Sequence, residues 1–224
     1  MKKPKIFIAC DTSDTKKIKK IIKESRTSKI KFGYKFGLQF LNSKNGRKFV
    51  SNLKNKIIFG DYKLADIPVT CASAIKAVKD LKLNYITIHI SSGLKAIRAA
   101  KEVAGSTKLI GVTVLTSLDN KSLKEIGFDK NIKKLVIHQA KLAARANLDA
   151  IVCSPHEIKI VRKVFKKEII TPGIRLQGDK KEDQKRIMTP KQAFQNGATA
   201  LVMGRSIING NIKKNIKKII KELK

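Results

Sequence analysis

The sequence predicts an α/β protein built as a single (β/α)₈ TIM barrel that spans residues 1–224. Three observations favour this fold class. Short apolar segments alternate with amphipathic helical ones, about eight such pairs fill the chain, and no Gly/Ser-rich linker divides it. A doubly wound parallel sheet is the competing topology, but no GxGxxG motif follows the first apolar segment. We therefore expect one barrel domain.

The predicted strands are mostly uninterrupted apolar runs, which is typical of a parallel sheet that is covered on both faces. They cover residues 6–10, 34–37, 57–62, 85–89, 109–115, 150–153, 169–171 and 200–203. Helical periodicity fills the segments between them, for example residues 67–81 and 131–146. The pattern predicts a strand followed by a helix throughout the chain.

Two helix starts are marked by capping chemistry. Ser154 and Thr189 are each followed by proline at the first helical position and by Glu157 or Gln192 at the third. Gly197 follows the second of these helices as its expected end. The last segment has isoleucines on one face and lysines on the other. This arrangement favours a closing helix of the fold over a membrane-surface helix.

Charge is the most unusual feature of the composition, because 50 Lys and Arg against 17 Asp and Glu give a formal net charge of +33. A nucleic-acid partner is one interpretation. The lysines are spread along the whole chain, however, and aromatic residues that could stack on bases make up only 5% of it. We therefore expect no nucleic-acid partner, and we expect long-range attraction of a small anionic substrate.

The chain shows no targeting or membrane signal. No stretch approaches the roughly 20 apolar residues that span a bilayer, and the apolar run at 6–10 is too short for a signal peptide. Cys10, Cys71 and Cys153 are an odd number without CxxC spacing, which argues against a disulfide framework and a cysteine-rich zinc site. We expect a cytoplasmic protein with no membrane partner.

Charged residues follow the first three predicted strands on the side where barrel enzymes carry their chemistry. Asp11 ends the first strand, Lys35 lies in the second, and Asp61 and Lys63 end the third. Period-2 alternation points Asp61 and Lys63 to the same side, and the alternating signs let Lys35, Asp61 and Lys63 neutralise one another. The alternative is an ion-pair network that merely plugs the barrel.

A phosphate site is predicted after the seventh and eighth strands, where barrels of this kind bind phosphate. Gly173 precedes Arg175 there, and Gly204 precedes Arg205. Arginine binds phosphate through two parallel hydrogen bonds, and glycine lets the backbone approach. The long polar segment 175–188 is a candidate lid, and a plain surface loop is the alternative.

The three histidines lack metal-ligand spacing. His89 could join Asp61 and Asp66 around a metal ion, but a histidine at a strand end is more often hydrogen-bonded scaffolding. We expect no metal and no cofactor.

Nearly end to end, the sequence resembles the bacterial orotidine 5′-phosphate decarboxylases. The most specific motif fits the family's D-x-K-x-x-D-I-P-x-T and reads Asp61-Tyr62-Lys63-Leu64-Ala65-Asp66-Ile67-Pro68-Val69-Thr70. Five further segments match in order: 34–37, 113–117, 152–155, 171–175 and 183–186. The resemblance implies a carboxy-lyase that converts orotidine 5′-monophosphate (OMP) to UMP, the last step of de novo pyrimidine nucleotide synthesis, without a cofactor.

The resemblance also implies a role for each site residue. Asp11 and Lys35 would bind the ribose, Lys63 would be the proton donor, and Asp61 would lie beside the reacting carboxylate. Three residues would enter the active site of the neighbouring protomer in a homodimer: Asp66, Ile67 and Thr70. Thr116 would lie near the nucleotide. The phosphate and the closing loop would be held by Arg175, Gln184, Gly204 and Arg205.

Departures from the family pattern concern packing. Tyr62, Leu64 and Ala65 replace the more usual Leu, Phe and His, and Ser206 stands where proline is common. None removes a charged catalytic group. Two other interpretations remain open at this point. One is a barrel relative that acts on a sugar phosphate with magnesium, and the other is a basic nucleic-acid-binding protein.

Overall fold

Eight parallel strands form a closed barrel in chain order, and β1 completes it by pairing with both β2 and β8. The computed structural model describes residues 3–177 and 187–223. The strands are β1 (Lys5–Ala9), β2 (Lys31–Phe36), β3 (Ile58–Leu64), β4 (Tyr85–His89), β5 (Lys108–Val112), β6 (Ala150–Val152), β7 (Glu168–Thr171) and β8 (Ala200–Met203). The predicted barrel is confirmed, and each predicted strand has a counterpart.

Helices fill the connections between the strands and follow the last one. They are α1 (Thr15–Glu24), α2 (Leu38–Leu41), α3 (Gly46–Ser51), α4 (Pro68–Ala77), α5 (Gly93–Val103), α6 (Asn120–Glu125), α7 (Ile132–Arg145), α8 (Ile158–Val164), α9 (Pro190–Gln195), α10 (Arg205–Ile208) and α11 (Ile212–Glu222). Within the described ranges no helix is long and apolar enough to cross a membrane.

The helix ends follow from local chemistry. The Thr189 side chain accepts a hydrogen bond from the Gln192 backbone in a reciprocal capping box, as predicted, and Gly197 adopts a φ of 106° just after α9. The prediction of one helix over 67–81 is wrong in part. Helix α4 ends at Ala77, and a separate 3₁₀ turn, Lys79–Leu81, buries Leu81 before Lys82 takes a left-handed conformation.

Two cores lie on the two sides of the barrel wall. In β1, Phe7 and Ala9 point into the barrel, while Ile6 and Ile8 pack outward against the helices. Both faces of the strand are therefore buried, which is why it reads as an uninterrupted apolar run. The interior core includes Phe59 of β3, whose ring meets Phe7 edge to face at 5.1 Å.

An ion-pair network closes the amino-terminal end of the barrel. Glu168 accepts hydrogen bonds from Lys5 at 3.0 Å, from the Tyr85 hydroxyl at 3.1 Å, and from Lys108. All four residues open their strands, so they lie at one end of the barrel. This is the barrel plug considered above as an alternative for Lys35, Asp61 and Lys63, but other residues form it at the opposite end.

Candidate active site

A cavity of about 510 Å³ opens at the carboxyl ends of the strands. Eight of the predicted site residues line it, together with Gly173: Asp11, Lys35, Asp61, Lys63, Thr116, Arg175, Gly204 and Arg205. They come from strands and loops that are far apart in sequence. The closed barrel brings them together because the ends of all parallel strands meet at one mouth.

Four charged side chains form a continuous chain of contacts along β1, β2 and β3. Lys35 Nζ lies 3.2 Å from Asp11 Oδ1 and 3.2 Å from Asp61 Oδ2, while Lys63 Nζ lies 2.7 Å from the same Asp61 oxygen. We call Asp11, Lys35, Asp61 and Lys63 the charged array. Its inner members are well shielded, since the side chains of Lys35 and Asp61 are 12% and 10% exposed. Pairing compensates for the cost of removing these charges from water.

The pKa values in the array follow from this geometry. Burial alone would raise the pKa of Asp61, but attraction to Lys35 and Lys63 outweighs it and holds that pKa below its ordinary value. Burial would lower the pKa of Lys35, whereas Asp61 and Asp11 raise it above its ordinary value. At neutral pH the carboxylate and its ammonium partner are therefore both charged.

The backbone of β3 departs from a regular strand where the array begins. Asp61 and Lys63 both face the cavity, as predicted, and the Tyr62 ring packs against the outer core. Simple alternation is not the whole reason, however. The register with β4 shifts between Gly60 and Leu64, and Lys63 takes a left-handed φ of 50°. Gly60 stands where the shift begins, as an isolated glycine in a strand often does, but position 63 itself is a lysine and not the glycine or asparagine that favours a left-handed conformation.

The two arginines line the cavity from the segments that follow β7 and β8. Gly173 has a φ of 73°, a left-handed conformation that favours glycine, and it turns the chain so that Arg175 lines the cavity although it is only 7% exposed. The ends of the loop are tied together, because Arg175 N donates to the Met188 carbonyl and Met188 N donates to the Gly173 carbonyl. Gln184 and the rest of 178–186 lie outside the described residues.

Sequence reasoning missed the apolar wall between these two charged regions. These apolar lining residues look like ordinary core residues in the sequence, and they include Val112, Val114, Val152, Pro172 and Val202. It also missed Thr87, whose hydroxyl donates to Asp61 Oδ1 at 3.1 Å. One signal was available for Thr87. It is a polar residue in an apolar strand, two positions before His89, and therefore on the same face.

Three predicted residues lie outside the cavity. Asp66, Ile67 and Thr70 are exposed at the start of α4, and the Ile67 side chain is 65% exposed. The Asp66 carboxylate accepts a hydrogen bond from the Ile67 backbone at 2.7 Å. They do not line the cavity of their own barrel.

His89 is half-buried at the end of β4. Burial and the neighbouring Lys63 lower its pKa, and the opposing attraction of Asp61 is the smaller effect. It is therefore neutral at pH 7. In the part of the chain that the structure describes, no three His, Cys, Asp or Glu residues converge as they would around a metal ion.

A closed parallel barrel with its charged groups at the carboxyl ends of the strands defines the class of the protein, a (β/α)₈-barrel enzyme. Residues 4–219 match the model of the Orotidine 5′-phosphate decarboxylase / HUMPS family. The chain therefore belongs to this family, and the prediction of a carboxy-lyase of the orotidine 5′-phosphate decarboxylase type is confirmed.

Curated relatives and solved structures agree with this assignment. The chain is 41% identical over 217 residues to orotidine 5′-phosphate decarboxylase of Prochlorococcus marinus (strain MIT 9215), covering 91% of this chain and 88% of that one. It is 38% identical over 216 residues to the enzyme of the same name from Coxiella burnetii (strain RSA 331 / Henzerling II), with 91% and 89% covered. The crystal structure of the Lactobacillus acidophilus enzyme superposes with a TM-score of 0.84 at 29% identity, with 99% of each chain covered.

Proposed function

We propose that this enzyme decarboxylates OMP to UMP without a cofactor, with Lys63 as the proton donor to C6. One observation carries the proposal. The contact chain Asp11–Lys35–Asp61–Lys63 lines the same cavity as Arg175 and Arg205, so one small molecule can meet both regions. OMP has a carboxylate on its pyrimidine ring and a phosphate at the other end. It therefore suits a cavity that is lined by an ammonium group from β3 and by guanidinium groups from the segments after β7 and β8.

The proposed binding mode combines this distribution of charge with the residue roles that the family resemblance implies. The phosphate contacts Arg175, Arg205 and the backbone beside Gly173 and Gly204, with Gln184 contributing from the closing loop. Asp11 and Lys35 bind the ribose hydroxyls, and Thr116 lies near the base. The pyrimidine ring packs on the valine side chains between the two charged regions, and its C6 carboxylate points at Asp61 and Lys63.

The chemistry requires a cation at C6. When the C6–carboxylate bond breaks, CO₂ leaves and the electron pair stays in the plane of the ring, where the π-system cannot delocalise it. The Lys63 ammonium stabilises this carbanion electrostatically and then transfers a proton to C6. The neutral amine that remains takes a proton from solvent, which restores the starting state.

Asp61 keeps this arrangement in its working form. Its contact with Lys63 fixes the ammonium group, and its low pKa keeps it ionised at neutral pH. Phosphate binding far from C6 contributes through loop closure, so part of its energy is expressed in the transition state. The apolar residues that line the cavity lower its local polarity, which strengthens the electrostatic contacts of Asp61 and Lys63.

The active unit in this proposal is a single-domain cytoplasmic protein that forms a homodimer. Asp66, Ile67 and Thr70 of each protomer complete the site of the other. Two exposed apolar residues beside Asp66 support a protein interface at the start of α4, because Ile67 and Val69 are 65% and 73% exposed. A cytoplasmic location agrees with the buried thiols of Cys10, Cys71 and Cys153.

The alternative left open by the sequence is a barrel relative that acts on a sugar phosphate with magnesium, and one assay separates the two activities. Purified protein is mixed with OMP, and the loss of its ultraviolet absorbance is followed with and without EDTA. We expect rapid conversion that EDTA leaves unchanged, because no step needs a Lewis acid. Absence of OMP turnover, or activity that disappears with EDTA and returns with magnesium, would contradict the proposal.

A further inference from the structure

The bulge in β3 places three residues opposite one residue of β4. Gly60 pairs with Ile86 and Leu64 pairs with Ile88, so Asp61, Tyr62 and Lys63 share Thr87 as their only counterpart between these two pairs. Regular pairing of the backbone is interrupted there. The backbone N–H of Lys63 consequently needs another acceptor, since a buried donor without a partner is costly.

The Thr87 hydroxyl is this acceptor, and it contacts both Asp61 and Lys63. It accepts the backbone N–H of Lys63 at 2.8 Å and donates to Asp61 Oδ1 at 3.1 Å. A threonine hydroxyl has one donor and two acceptor positions, so it makes both bonds at once. Thr87 itself is fully buried, which fixes it in the barrel wall.

These two bonds fix Asp61 Oδ1 and the backbone of Lys63, which the lysine ammonium groups do not contact. Lys35 and Lys63 both contact Oδ2 of Asp61, whereas Thr87 holds Oδ1 and so sets the plane of the carboxylate. Lys63 has a φ of 50°, a left-handed conformation that is unfavourable for a lysine and persists only where the surroundings enforce it. The hydrogen bond from its N–H stabilises that strained conformation.

We propose that Thr87 is a positioning residue that holds Asp61 and Lys63 in the geometry required for proton transfer. The inference rests on the proposed role of Lys63. Thr87 does not line the cavity, so it acts through the two residues it contacts. Its loss should therefore slow the chemical step more than it weakens substrate binding.

The test compares variants that differ in the hydroxyl. Thr87→Val keeps the shape and removes both bonds, while Thr87→Ser keeps them. We expect Thr87→Val to lower kcat for OMP by about tenfold to a hundredfold, the scale of a small misplacement of reacting groups. KM should change by less than about threefold, because the substrate contacts remain. Thr87→Ser should stay close to the wild-type kcat.

Thr199→Val is the control for the loss of a threonine hydroxyl that makes two hydrogen bonds away from the cavity. The Thr199 hydroxyl also makes two bonds, accepting from Ile169 N at 2.9 Å and donating to the Ile169 carbonyl at 3.0 Å, but it does so just before β8 at the amino-terminal end of the barrel. It should lower the melting temperature and leave kcat unchanged. If Thr87→Val does not fold, Thr87→Ala against Thr87→Ser makes the same comparison of the hydroxyl.

The outcomes separate this inference from the proposed function. A wild-type protein that does not decarboxylate OMP would count against the proposed function itself. An active wild type with an unchanged kcat in folded Thr87→Val, or with a Thr87→Ser variant as slow as Thr87→Val, would overturn the role of Thr87 alone.

Discussion

At the scale of single residues, the site is a set of charges that neutralise one another until a substrate arrives. Asp61 is shared between Lys35 and Lys63, and Asp11 holds Lys35 from the other side. None of the three carboxylate–ammonium contacts stands alone, which is why the pKa of Asp61 stays low despite burial. In the proposed function, Arg175 and Arg205 bind the phosphate and not the reacting carboxylate, so their loss should have a different kinetic effect.

Arg205→Ala and Arg175→Ala should chiefly weaken the binding of OMP. Each removes charge-assisted hydrogen bonds to the phosphate, worth about 1.5–3 kcal/mol, and KM should rise accordingly. Turnover of phosphate-free orotidine should change much less. Steady-state kinetics with both substrates measure the difference.

Arg145→Ala is the control for the change in net charge. Arg145 is exposed in the last turn of α7, outside the cavity, and its removal should alter neither substrate. If OMP and orotidine suffered equally in Arg205→Ala and Arg175→Ala, these arginines would be structural and the phosphate site would be wrong.

At the scale of elements, the two ends of the barrel use similar residues for different purposes. The plug around Glu168 joins β1, β4, β5 and β7 at the amino-terminal end, and the charged array joins β1, β2 and β3 at the carboxyl end. The rings of Phe7, Phe59 and Tyr85 pack against one another in the interior. Substitutions in the plug should therefore change the stability of the fold, whereas substitutions in the charged array should change the activity.

Glu168→Gln should lower the free energy of unfolding by about 1–3 kcal/mol at neutral pH, since it removes the carboxylate that Lys5, Lys108 and Tyr85 contact. Burial alone would raise the pKa of Glu168, but its hydrogen bonds to Lys108 and Lys5 hold it below 4.5, its ordinary value. A carboxyl whose pKa is depressed in the folded state stabilises the fold above its ordinary pKa, and this contribution disappears as the pH falls through the folded pKa.

Urea unfolding of wild type and Glu168→Gln at several pH values checks this prediction. The gap in stability should be largest near neutrality and should shrink below about pH 4.5. A gap that is the same at all pH values, or a large loss of kcat at neutral pH, would contradict the assignment of Glu168 to stability.

At the scale of the whole molecule, two features extend beyond one barrel: the formal net charge of +33 and the exposed start of α4. The charge is spread over lysines on many helix faces, which favours the attraction of anionic substrates over a nucleic-acid surface. The start of α4 exposes Ile67 and Val69 beside Asp66, and this is where a second protomer fits the proposed shared site.

Mixing Lys63→Ala and Asp66→Ala subunits, each expected to be inactive, should restore activity. In a mixed dimer one site carries both lesions and the other carries neither, by the symmetry of the interface. In an equal mixture half of the dimers are mixed, so about one quarter of all sites should be wild type. The measurement is OMP turnover after subunit exchange, with exchange verified by differently tagged chains. No recovery would mean that Asp66 serves its own chain.

Much of the fold and much of the cavity lining could be predicted from the sequence, and the reasons are local. Strand periodicity located β4 and β8 to the residue, and the capping box at Thr189 located the start of α9. The left-handed conformation of Lys63 could not be predicted, because Gly60 marks only an irregularity in the strand and the contact with Thr87 that stabilises this lysine is tertiary. The early end of α4 likewise depends on burying Leu81.

The central claim is that Lys63 both stabilises the carbanion and supplies its proton, and the most direct measurement is the kcat of Lys63→Ala on OMP. Removal of one preorganised electrostatic group costs about 10²–10³ in rate, and a residue with two roles should cost more. UMP binding and the melting temperature serve as controls for the fold, and Lys141→Ala, on the exposed face of α7, matches the change in charge. We predict near-complete loss of turnover with most of the UMP affinity retained. A folded Lys63→Ala enzyme that keeps turnover within about tenfold of wild type would contradict the mechanism.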